Sequence, residues 1–179
     1  MKKIVLAVLL AAVLLITTLM STPVLARASA PYCGITWGSS AKVLNQSSTS
    51  TISNVRAGQN TCYDRMVIDL NGAAPGYNVR YVSNFYSEGR GKEIPLSGGA
   101  KLDVVALAPA HSNGKSTYNA TVGQTLPNIN IAGYQTFRDL KYGGSFEGQT
   151  SFGLGVRALL PFRVFQLDHR LVIDVAHRW

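Results

Sequence analysis

The stretches Asp64-Arg65-Met66-Val67-Ile68-Asp69-Leu70 and His169-Arg170-Leu171-Val172-Ile173-Asp174-Val175 repeat one pattern, and both alternate with period two. Met66, Ile68 and Leu70 point one way while Arg65, Val67 and Asp69 point the other; Leu171, Ile173 and Val175 likewise oppose Arg170, Val172 and Asp174. Side chains alternate across a strand. Three aliphatics on one face and an Arg-Val-Asp stripe on the other therefore describe a strand half buried in an antiparallel sheet. Two such strands, far apart in the chain, predict a β-sandwich with related halves.

The rest of the chain keeps to this rule. If the six residues Asn71 to Gly76 close a hairpin onto Tyr77–Val82, then Leu70 faces Tyr77, Ile68 faces Val79 and Met66 faces Tyr81. The apolar faces then coincide, as a fixed register requires, and Arg80 falls diagonal to Asp69. Ala100–Leu107 alternates and turns more apolar towards its end, and Asn113-Gly114 is a hairpin dipeptide. Gly143-Gly144 separates a strand over Thr136–Tyr142 from one through Phe146, and Phe152, Leu154 and Val156 alternate beyond Gly148. Phe162–Leu167 turns at Asp168-His169 into the second repeat, which sets Phe162 against Val175, Val164 against Ile173 and Arg163 against Asp174. No stretch sustains a 3.6-residue apolar period. The expectation is all-β: a sandwich or flattened barrel of about eight to ten mostly antiparallel strands.

The first 28 residues read as a signal peptide. Lys2 and Lys3 precede an apolar run from Ile4 to Leu15, and Ala26-Arg27-Ala28 and Ala28-Ser29-Ala30 are small-residue cleavage sites. Pro31 disfavours cleavage after Ala30, so cleavage falls after Ala26 or Ala28. A retained membrane anchor is the alternative, since the apolar run is near the lower limit for a span. Processing leaves about 150 residues, one domain's worth. These divide into an N-terminal segment, 29–61, with a Ser/Thr-rich surface loop over 39–53, and a β domain over 62–179.

Cys33 and Cys62 are the only cysteines. An even count in an exported chain reads as one disulfide, which tethers the N-terminal segment to the first strong strand. The formal charge of +8 loses two or three units with the signal. What remains is scattered, suits an anionic envelope, and lacks the clustered stripe that nucleic acid requires.

Chemistry-bearing motifs are sparse. Gly153-Leu154-Gly155-Val156-Arg157-Ala158 matches a dinucleotide fingerprint, but Pro161 comes too soon for the helix that such a site needs, so the glycines mark a strand bend or bulge. Gly114-Lys115-Ser116 ends like a phosphate-binding loop, with Pro109 where its first glycine belongs. His111, His169 and His177 have no metal-ligand spacing, and Asp168-His169 lacks a nucleophile in a strained elbow. Trp37, Tyr77, Tyr81, Phe85, Tyr86, Tyr134 and Tyr142 are candidates to line a carbohydrate surface, although Tyr77 and Tyr81 fall on the core face. No catalytic residue, metal or cofactor is expected.

The outward stripes are the candidate ligand-binding residues. Arg163, Arg170 and Asp174 form one charged patch, interrupted by Phe165 and Val172, and Arg65, Asp69 and Arg80 form its counterpart in the other half. Either these bind a polymer or they are ordinary cross-strand ion pairs.

From Cys62 onward the chain resembles the secreted AMIN-like domain proteins of actinobacteria. The matching residues are Cys62-Tyr63-Asp64-Arg65, Pro75-Gly76-Tyr77-Asn78-Val79, Gly98-Gly99-Ala100 to Leu107, Gly144-Ser145-Phe146-Glu147-Gly148, and Pro161-Phe162-Arg163-Val164 through Arg170-Leu171-Val172-Ile173-Asp174. The ending is most similar to the AMIN domain proper of cell-wall amidases and envelope secretins. The resemblance implies a sandwich of two similar sheets that localises its host by binding peptidoglycan. No catalytic or pore domain follows here, so it speaks for envelope targeting and against amidase activity. The expected protein is secreted and associated with the cell wall, off the membrane after processing. It binds peptidoglycan or another wall polymer without catalysis. The alternatives are a protein-interaction module for an envelope partner and, behind it, a hydrolase.

Overall fold

Alternating sequence becomes strand almost throughout the computed structural model, which describes residues 30–179; Pro31–Trp179 form one compact unit. The expected signal peptide, with cleavage after Ala26 or Ala28, lies outside the described residues. A short 3-10 turn at Tyr32–Gly34 leads into β1 (Lys42–Leu44), β2 (Thr51–Gln59), β3 (Tyr63–Asn71), β4 (Tyr77–Val82), β5 (Ala100–Ala106), β6 (His111–Ser112), β7 (Lys115–Ser116), β8 (Phe137–Phe146), β9 (Gln149–Val156), β10 (Phe162–Leu167) and β11 (Arg170–Ala176). The two main sheets run β10-β11-β3-β2 and β1-β4-β5-β9-β8, antiparallel throughout. They pack face to face as a β-sandwich. No described helix is long and apolar enough to cross a membrane.

The core lies between the sheets. Met66, Ile68 and Leu70 of β3 and Leu171, Ile173 and Val175 of β11 are buried against Val79, Leu102, Val104, Phe152 and Leu154 of the five-stranded sheet. Tyr77 and Tyr81 pack partly buried against the same core, and Tyr81 donates from its hydroxyl to the Leu160 carbonyl at 2.6 Å.

The two repeats are neighbours in one sheet, not counterparts in two halves. β3 and β11 pair so that Arg65 stands opposite Asp174, Val67 opposite Val172 and Asp69 opposite Arg170. Read in opposite directions, Arg-x-Val-x-Asp is its own complement, so the repetition serves strand pairing.

β3 also does not form a hairpin with β4. The residues between them cross from one sheet to the other, β4 pairs with β1 and β5, and Val79 meets Val104 rather than Ile68. Register by apolar face is satisfied equally well by either partner, and the inter-sheet crossing leaves both apolar faces inside. The β10–β11 hairpin does form as its sequence requires, with Phe162 opposite Val175, Arg163 opposite Asp174 and Val164 opposite Ile173.

Three further expectations change. The polar stretch 39–53 contributes β1 and the start of β2, both in the main sheets. β8 runs unbroken through Gly143-Gly144, absorbing them as a register shift opposite β9. The fingerprint glycines belong to β9 and bed an overlying segment: a Cβ on Gly153 would lie 2.5 Å from Phe85 Cδ1 and 2.8 Å from Leu96 Cδ1, and one on Gly155 would strike the Ser97 carbonyl. Phe85, Ile94 and Leu96 form a small separate core there. Asn113 and Gly114, at φ 49° and 74°, close the β6–β7 hairpin, as that dipeptide favours.

Candidate ligand-binding face

The outward residues of β10, β11 and β3 converge on one face of the four-stranded sheet. In one row, Arg163, Asp174 and Arg65 are aligned across three strands. The Asp174 carboxylate is fully buried and accepts Arg65 Nε at 2.6 Å, Arg65 Nη2 at 2.9 Å and Arg163 Nε at 2.8 Å. Bonding to Asp174, first among the causes, raises Arg65 above the ordinary guanidinium range. Four residues along β11, a second row sets Arg170 opposite Asp69. Asp69 accepts Arg56 Nε and Nη2 at 2.7 Å each, with Arg170 Nε farther off at 3.8 Å. Its bond also raises Arg56. Phe165, Val172 and Val67 form the row between.

Aromatic rings hold the first row in place. The Arg163 guanidinium lies 5.0 Å from the Phe165 ring centre, 5.3 Å from Tyr63 and 5.5 Å from Trp37; Arg65 lies 5.1 Å from Tyr63 and 5.5 Å from Phe165. Guanidinium on an aromatic face is attractive and restricts the long side chain. Trp37 reaches this place because its segment is pinned twice. The Cys33–Cys62 disulfide joins it to the residue before Tyr63, and Phe162 N–H donates to the Gly38 carbonyl at 3.0 Å. Trp37 Nε1 donates to the Tyr32 carbonyl at 2.8 Å.

Of the six candidate residues, Arg65, Asp69, Arg163, Arg170 and Asp174 therefore share one face. Arg80 does not. It lies on the other sheet, 3.3 Å from Asp103, its cross-strand neighbour on β5. The stripes are cross-strand ion pairs, and two clusters of two arginines on one aspartate leave a net positive charge in each. Arg56 and Tyr63 are the members that sequence reading passed over. Arg56 sits on β2, to which the sequence reading assigned no strand, and the Tyr63 hydroxyl accepts from Arg65 Nη2 at 3.1 Å while its ring faces Arg65 and Arg163.

The remaining aromatic candidates lie elsewhere. Phe85 and Tyr142 are buried, Tyr134 packs against the core, and Tyr86 is exposed beside the Glu93 bridge. His111 stands in the exposed β6–β7 hairpin, His169 contacts the Gly72 carbonyl, and His177 is buried against Asp64. Among the described residues no group of three or more His, Cys, Asp or Glu is placed to hold a metal ion. A cleft of about 540 Å³ between Glu88–Arg90 and Thr121–Val122 has Phe146 at its edge.

No curated protein and no solved structure matches this sequence. The family model of the AMIN-like domain matches residues 50–177, from the start of β2 to just beyond β11. With most of its length matched over the whole of the four-stranded sheet, the chain belongs to the AMIN-like domain family.

Proposed function

We propose that this protein is a non-catalytic, exported module of the cell envelope that holds an anionic wall polymer, peptidoglycan first, on the arginine face of its four-stranded sheet. One observation carries the reading: four guanidiniums share two carboxylates there. Arg56, Arg65 and Arg163 each spend the Nε edge on an aspartate, and the Nη1 group of none of them has a partner among the described residues. Free N–H donors on stacked guanidiniums suit the carboxylates and acetamido groups of a glycan-peptide polymer, and Phe165 supplies a partly exposed apolar floor. Membership of the AMIN-like family and the disulfide both agree with work in the envelope.

Sedimentation with purified peptidoglycan tests this. Arg56 and Arg170 have half-exposed side chains, so both change to Gln without opening the fold. The double variant should lose most of its co-sedimentation, and raised salt should weaken that of the wild type. Undiminished binding by the variant would remove the ligand from this face. Capture of an envelope protein in place of the polymer would support the interaction-module reading.

A further inference from the structure

The arginine face is two sites with a gap, and the gap has a length. One cluster is centred on Asp174 with Arg65 and Arg163, the other on Asp69 with Arg56 and Arg170. Asp174 and Arg170 are four residues apart on β11, and strands rise about 3.3 Å per residue, so the cluster centres are about 13 Å apart along the strand. Between them the outward positions are Val67, Val172 and Phe165, with no charge. Both valines are buried, which leaves a low apolar bridge rather than a continuous basic stripe.

The clusters do not drift relative to each other. Both are built on β3 and β11, which lie side by side inside the sheet with β2 and β10 on their flanks. The first is held further by its fully buried carboxylate and by the rings of Tyr63, Phe165 and Trp37. Each cluster offers a surplus of one positive charge together with unspent Nη donors. Resting on the proposal that this face binds an anionic polymer, we infer that it recognises an extended chain carrying anionic groups about 13 Å apart, one engaged by each cluster. A ligand with that spacing gains from both clusters at once, because the second contact is made at high effective concentration. A ligand with closer or wider charges engages one cluster at a time.

Polyproline rulers measure the gap. Peptides blocked at both ends and built as Glu-(Pro)n-Glu rise about 3.1 Å per residue, so one, three and seven prolines separate the acidic residues by about 6, 12 and 25 Å. Displacement of the protein from peptidoglycan, and direct titration by NMR, compare them with a peptide carrying a single Glu. The three-proline ruler should bind at least tenfold more tightly than the others. The Arg56→Gln/Arg170→Gln protein should bind all of them equally and weakly. If the three rulers bind the wild type alike, recognition by spacing is wrong, whatever the sedimentation result. If the double variant still sediments with peptidoglycan, the polymer site itself lies elsewhere, so the two failures are told apart.

Discussion

His177 Nε2 lies 3.0 Å from Oδ1 of Asp64, and both side chains are buried. The second oxygen of Asp64 accepts the backbone N–H groups of Thr136 at 2.6 Å and Phe137 at 2.9 Å, while His177 Nδ1 faces the Thr61 carbonyl at 3.2 Å. Each ring nitrogen of His177 thus faces an oxygen from a different part of the chain. The contact gathers the exit of β11, the start of β3 and the entry to β8. His177→Ala leaves a buried carboxylate one partner short and should lower the unfolding free energy by about 2–4 kcal/mol. An unchanged urea midpoint would show that the contact is dispensable.

The two arginine clusters should differ in stability. Asp174 has no exposed surface, so Arg65→Gln strips a buried charge of its bidentate partner and should cost about 1–3 kcal/mol, with Arg163 left to compensate in part. Arg170→Gln, half exposed and 3.8 Å from Asp69, should change stability by less than about 0.5 kcal/mol. Equal melting temperatures for the two variants would contradict this division.

Asp103 gives the stability a pH dependence. Burial pushes its carboxyl up from 3.8 to about 6, Arg80 pulls it back and Glu88 adds to the rise. The folded state then holds a proton that the unfolded state has released, so stability falls as pH rises from about 4 to about 6. Asp103→Asn should flatten that part of the profile. At neutral pH it should gain at most about 3 kcal/mol, less what the Arg80 contact contributes. A variant with the wild-type slope between these pH values would show the slope to come from elsewhere.

Legibility followed locality. The β10–β11 hairpin was readable because two turn residues, Asp168 and His169, leave little choice of register. The place of β4 was not: Tyr77–Val82 carries the same alternation whether it pairs with β3 or β5, and only the chain crossing between sheets decides. β2 was concealed by its own irregularity. A register shift between Ile52 and Asn54 puts its inward residues Ile52 and Val55 three positions apart, which breaks the period-two signal and hides Arg56 with it. The repeated stripe marked Arg65, Asp69, Arg170 and Asp174 and the hairpin added Arg163, but the sequence reading divided them between two halves, and only the pairing of β3 with β11 sets them on one face. Arg80 was misplaced with β4.

The disulfide should act on stability and on Trp37 together. Its loop spans 29 positions, and loop entropy gives it about 3–4 kcal/mol. Cys33→Ser with Cys62→Ser should lower the midpoint of unfolding accordingly. In a Trp179→Phe background the remaining tryptophan emission should also shift red as Trp37 leaves Arg163 and Tyr63. Loss of stability without that shift would mean that the Gly38–Phe162 bond alone positions the ring.

A Cβ on Gly155 meets the Ser97 backbone rather than a movable side-chain end. Gly155→Ala should therefore cost about 1–3 kcal/mol by overpacking, with the ion pairs of the arginine face on the opposite sheet intact once the protein is folded. Wild-type thermal stability in this variant would show that the 83–97 segment yields easily.

A strand that complements its own repeat also complements itself. Two copies of β11 from different molecules would set Arg170 against Asp174 and Val172 against its twin, and two copies of β3 would do the same with Arg65 and Asp69. In the folded protein each of these strands is flanked on both edges, so the invitation is closed. During refolding it is open. Yield should therefore fall with protein concentration as chains mistake one another for their own missing neighbour, and order of assembly becomes as much a part of this sequence's specification as its final shape.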